Sequence, residues 1–215
     1  NKTYEQLRIR YMDTIEALRI MVDAKDIYTR GHSDRVSYYA VALGHAMKLP
    51  ASDIELLRVC GVFHDVGKIG TADDILTKST KLSATEYDEI KKHPVKGAQI
   101  LSAISMFQNV VPVILSHHER IDGTGYPQGL KGAQIPFLSR LIAVVDAFDA
   151  MTSDRQYRPR LDLESAKRQL LFGRDTQFDR EIVDAFLKVL DNYPAMLKEM
   201  AESHIGIDSY QNTWM

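Results

Sequence analysis

His32, His64, Asp65, His93, His117, His118 and Asp146 are the side chains here best suited to shared chemistry. They are imidazoles and carboxylates, and they recur at intervals of 24 to 32 residues. Each interval is about one helix and its connection, so separate helices can each point one or two ligands into a common bundle centre. Such donors suit iron or manganese first, with zinc, nickel and magnesium also compatible. Cys60 is the only cysteine, which argues against a thiolate-held structural zinc. Seven ligands are too many for one tetrahedral ion and about right for two open sites. Asp65 has two oxygens and could bridge them. Two ions about 3.5–4 Å apart can share a hydroxide and steady both the attacking and the leaving oxygen of a phosphoester. Lys68 follows His64 by one helical turn, where a cation would meet a phosphate oxygen beside the metals.

The elements that must carry these residues read as helices almost throughout. Ser33 to Met47 places Val36, Tyr39, Ala40, Leu43 and Met47 at helical spacing. Ser52 with Glu55, and Ser83 with Glu86, have the form of capping boxes. Pro94 fits the first turn of a helix opening at His93. Val110 to His118, Pro136 to Met151, Ser165 to Phe172 and Asp179 to Leu190 complete the helical pattern, and Gly123, Gly125, Gly129 and Gly132 mark a loop. No alternation marks a strand. The expected fold is an all-α helical bundle with no substantial sheet.

A leading segment carries Tyr4, Leu7, Tyr11, Leu18 and Met21 at heptad positions, with Thr14 the polar member. It reads either as a helix packed on the body or as one that pairs with its twin in a homodimer. The absence of an initiator methionine at Asn1 fits a fragment. A net charge of −2 gives no sign of a nucleic-acid scaffold, and no apolar run approaches the ~20 residues of a membrane span. With one cysteine and no signal peptide, a cytoplasmic location is expected.

Taken together, DIYTRGHSDRV (26–36), FHDVGKIG (63–70), HP (93–94), HHERIDGTGYP (117–127) and VVDAFDAMTSDRQYR (144–158) resemble the HD-GYP subgroup of the HD-domain superfamily. The likeness covers roughly residues 26 to 186. With the leading heptads and the helical pattern, it divides the chain into a linker or signalling helix at 1–25, a catalytic domain at 26–200 and a tail at 201–215. It further implies a bacterial phosphodiesterase that opens cyclic di-GMP to pGpG or GMP through a metal-bridging hydroxide. A mixed GMP–AMP cyclic dinucleotide as substrate, or a weakly catalytic cyclic-dinucleotide-binding module, stands as the alternative.

By the same resemblance, His32, His64, Asp65 and Asp146 hold one ion, and Asp65, His93, His117 and His118 the other. A third ion is not expected, because Tyr28 stands where some members place a glutamate. Asp65 and Lys68 would carry the catalysis, and Lys68, Arg155 and Arg158 would grip the nucleotide. Asp149, one turn beyond Asp146, would contact guanine or merely orient local hydrogen bonds. Gly125, Tyr126 and Pro127 form the loop that the family uses to meet other signalling domains, including GGDEF partners.

Overall fold

In a computed structural model, residues 6, 10, 13–20, 31–78, 80–154 and 159–203 are described. The order is α1 (His32–Ala46), α2 (Ala51–Phe63), a 3-10 turn (Val66–Gly70), α3 (Asp73–Leu76), α4 (Ala84–Ile90), α5 (His93–Ser102) and α6 (Val111–Leu115). After the glycine-rich loop come α7 (Phe137–Thr152), α8 (Leu163–Phe172), α9 (Arg180–Leu190) and α10 (Tyr193–Glu202). Among the described residues there is no strand, only an isolated bridge between Arg174 and Phe178. The all-α bundle expected from the pattern is therefore the fold.

The core sits where α1, α2, α7 and α9 meet. Val36, Tyr39, Ala40 and Leu43 form the buried stripe of α1, following the i, i+3, i+4, i+7 rule. The stripe of α7 (Leu141, Ile142, Val144, Val145 and Phe148) is fully buried, so this helix is the central one. Phe148 meets Tyr39 at 5.4 Å and Phe186 at 5.2 Å in edge-to-face contacts that aromatic quadrupoles favour. Cys60 is buried in the same cluster. Residues 13–20 are helical and pack on the body through Ile15 and Leu18.

Local signals and structure differ in three places. The Ser83–Glu86 capping box forms, with Ser83 Oγ accepting from the Glu86 amide and Glu86 accepting from the Ser83 amide. The Ser52–Glu55 box does not, because Pro50 is the extended N-cap of α2, which begins at Ala51 and takes Ser52 inside its first turn. Helix α6 stops at Leu115, so His117 and His118 lie in the turn beyond it. Helix α10 is an element that the sequence reading did not separate.

Candidate metal centre

Four helix ends deliver four imidazoles to one place. His64 follows the last residue of α2, His93 opens α5, His117 lies just past α6 and His32 opens α1. Three of them are fixed in the same way. Nδ1 of His64 donates to the Gly61 carbonyl at 2.8 Å, that of His93 to the Ile90 carbonyl at 2.8 Å, and that of His117 to the Ile114 carbonyl at 2.6 Å. Each partner is three residues back. Tying down Nδ1 sets the tautomer and turns Nε2, with its lone pair, inward.

The inward atoms fall into two groups that meet at Asp65. Asp65, His93, His117 and His118 can place one ligand atom each within 4.8 Å of one another, and so can His32, His64 and Asp65. Asp146 adjoins the second group, with Oδ1 3.2 Å from His32 Nε2 and 3.7 Å from His64 Nε2. The Asp65 carboxylate divides between them: Oδ1 is 3.3 Å from His93 Nε2 and Oδ2 is 3.4 Å from His64 Nε2. This convergence depends on close backbone approach, because a Cβ at Gly67 would overlap the carbonyl oxygen of His93.

Electrostatics prepare the two halves differently. Burial, reinforced by the neighbouring imidazoles, holds His117 well below its ordinary pKa. Burial takes His118 down to about 4, and it also lowers His93. These rings are neutral near pH 7, the form that binds a cation. Burial opposes ionisation of Asp65, yet Lys68, His64 and His93 outweigh it and keep the carboxyl well below the usual range. The donor set is imidazole nitrogen and carboxylate oxygen, without sulfur, on preset rings. That fits two divalent ions of the first transition row.

Lys68 stands on the 3-10 turn rather than on a continuation of α2. Its Nζ lies 2.6 Å from Asp65 Oδ2, three residues back. Asp149 is 1% exposed and wholly engaged: Oδ2 accepts from His32 Nδ1 at 2.7 Å, and Oδ1 from Arg35 Nε at 2.7 Å. These contacts orient His32 and Arg35, and Asp149 also borders a cavity with Arg35, Ser153 and Asp154. Tyr28, Arg155 and Arg158 lie outside the described residues, as does most of the leading segment and of the tail.

The loop 119–130 is built against His118. A Cβ at Gly125 would overlap the Arg120 amide nitrogen, and the Tyr126 amide donates to the His118 carbonyl at 3.2 Å. The Tyr126 ring turns inward and lies against the His118 imidazole, centroids 4.9 Å apart, while Pro127 is exposed. Buried Glu119 accepts from the Gln128 amide at 2.7 Å and the Leu130 amide at 3.0 Å, closing the loop on itself. Arg35 and Glu119 were not singled out in the sequence. The available signals were the one-turn spacing of Arg35 from His32 and the position of Glu119 beside the double histidine.

Comparison with known proteins agrees with this architecture. The family profile described as HD domain matches residues 10–182. The chain belongs to the HD-domain family, and the GYP loop sets it in the HD-GYP subgroup. It is 34% identical over 222 residues to a cyclic di-GMP phosphodiesterase of Thermotoga maritima, covering 99% of this chain and 60% of that one. It is 33% identical over 189 residues to a 3′3′-cGAMP-specific phosphodiesterase of Vibrio cholerae, covering 88% of this chain and 41% of that one. The chain thus spans about half the length of the relatives it matches. Among solved structures, a V. cholerae cyclic GMP-AMP-specific phosphodiesterase shares the fold with a TM-score of 0.68 at 18% identity, over 89% of this chain and 52% of that one. An HDG"Y"P protein from Bdellovibrio bacteriovorus does so with 0.62 at 24% identity, over 78% and 53%. Among the described residues, no helix is long and apolar enough to cross a membrane.

Proposed function

We propose that this chain is a metal-dependent phosphodiesterase that hydrolyses cyclic di-GMP to pGpG or GMP. The observation that carries the reading is the split carboxylate of Asp65, with one oxygen turned to each group of imidazoles. His32, His64, Asp65 and Asp146 would hold one ion, and Asp65, His93, His117 and His118 the other. Divalent ions bound there supply Lewis acidity toward phosphate oxygens and make water acidic enough to attack near neutral pH. The side chains do the rest. The tethered Nδ1 atoms keep the rings aimed, and Lys68 sets a positive charge beside the bridging carboxylate, where a phosphate would gather negative charge. Arg155 and Arg158 would bind the second phosphate or a guanine edge.

A second reading rests on the cGAMP-specific relative: the same metal core with a pocket for the mixed cyclic dinucleotide. The deciding experiment is anaerobic turnover of both cyclic dinucleotides by protein loaded separately with iron(II) and manganese(II), with products resolved by chromatography. Cleavage of cyclic di-GMP that is lost in Asp65→Ala supports the proposal and identifies the end product. Preferential cleavage of cGAMP moves the assignment to the second reading. Binding without product leaves a signalling module.

A further inference from the structure

We propose that Arg35 is a positioning residue for the metal centre, acting through Asp149 to fix the imidazole of His32; this rests on the two-metal reading above. His32 is the exception among the tethered histidines. It is the first residue of α1, and its Nδ1 meets a carboxylate 117 residues away instead of a carbonyl three residues back. A carboxylate on the far nitrogen makes the ring a stronger donor than a carbonyl does, but only if the carboxylate itself is held.

Arg35 does that holding. It stands one turn along α1 from His32, on the same face. Nε reaches Asp149 Oδ1 at 2.7 Å and Nη2 reaches Oδ2 at 2.9 Å, a two-point grip that lysine cannot copy. Ser153, the residue that follows α7, accepts from the same Nη2 at 3.0 Å and closes the cluster against Asp149 Oδ2 at 3.2 Å. The chain of contacts is therefore guanidinium, buried carboxylate, imidazole and then the inward Nε2, 3.2 Å from Asp146. It joins α1 to α7, the two helices that supply the outer ligands of this half. In the other half, His93 and His117 end on backbone carbonyls instead. Arg35 and Asp149 also line a cavity of about 770 Å³, so a shorter side chain at position 35 is accommodated without a clash.

The test is metal binding rather than turnover. Metal-free protein is titrated with manganese(II), with free ion followed by electron paramagnetic resonance and binding by calorimetry. Wild type takes up two ions. Arg35→Gln weakens one step by about 10- to 100-fold and leaves the other unchanged, the usual effect of losing an outer partner of a ligand. Arg35→Lys recovers part of the loss. In a His32→Ala background, Arg35→Gln has no further effect, because its influence passes only through that ring. Equal weakening of both steps, or a full additional loss in the His32→Ala background, overturns the proposal. Should Arg35→Gln fail to fold, Asp149→Asn reads the same step, and unchanged affinities there are equally fatal. Wild type binding fewer than two ions overturns the binuclear reading itself.

Discussion

Lys68 Nζ lies 2.6 Å from Asp65 Oδ2, the oxygen that also faces His64. A cation of the chain thus balances the carboxylate that would be shared between two ions. Once ions take over that balancing, the ammonium can turn to a substrate phosphate without leaving Asp65 uncompensated. Removing one preorganised charge stabiliser of this kind lowers turnover by about 10²–10³-fold. We expect that loss in kcat for Lys68→Ala, with two ions still bound, whereas Asp65→Ala loses both turnover and stoichiometry. Steady-state kinetics with metal analysis of the same samples separates the two.

The metal-free chain should be most stable near pH 6.5. Burial disfavours the charge on His32, but Asp146 and Asp149 outweigh it and lift its pKa to about 9. A raised pKa contributes stability that is complete below the unfolded value of about 6.5 and is lost as pH climbs through 9. His118 has the opposite sign: burial drops it to about 4, so the unfolded chain takes up its proton first and stability falls as pH goes from 6.5 to 4. Thermal melts in a chelator across pH 4 to 9.5 should show both declines; a flat profile above pH 6.5 would contradict the His32 assignment.

Gly67→Ala should damage the centre without touching a ligand. The added Cβ overlaps the His93 carbonyl oxygen, so the 3-10 turn must move off α5 and draw Asp65 away from His93. Overpacking at such a contact costs about 1–3 kcal/mol. A lowered melting temperature together with loss of one bound ion is the expected pair of results.

Glu119→Ala should loosen the GYP loop. It leaves the Gln128 and Leu130 amides without their acceptor, at about 1–3 kcal/mol for each buried group not reached by water. Faster amide exchange at residues 123–130, with exchange in α7 unchanged, is the expected signature.

The fold and the converging imidazoles and carboxylates are legible in the sequence because both rest on local patterns. Helical periodicity marked α1 and α7, and Pro94 marked the start of α5. The ligands recur once per helix, so a bundle can bring them together. Arg35 and Glu119 are not legible there, because their partners lie across the fold or around a loop. An arginine one turn from a histidine is ordinary until Asp149 is seen between them. The Ser52–Glu55 box failed because the helix is capped at Pro50, two residues earlier, a shift that spacing alone cannot register. Nor does the sequence show that the Tyr126 ring lies on His118.

The unequal tethering of the histidines also sets an order of assembly. The hooks of His64, His93 and His117 close within one turn, so each forms as its own segment coils and spans almost no loop. The His32 hook must enclose 117 residues before Asp149 arrives. In a chain emerging from synthesis the three short hooks can therefore close with their own segments, whereas the His32 hook waits until α7 exists. Until then, the half of the centre that contains His32 and Asp146 is unbuilt.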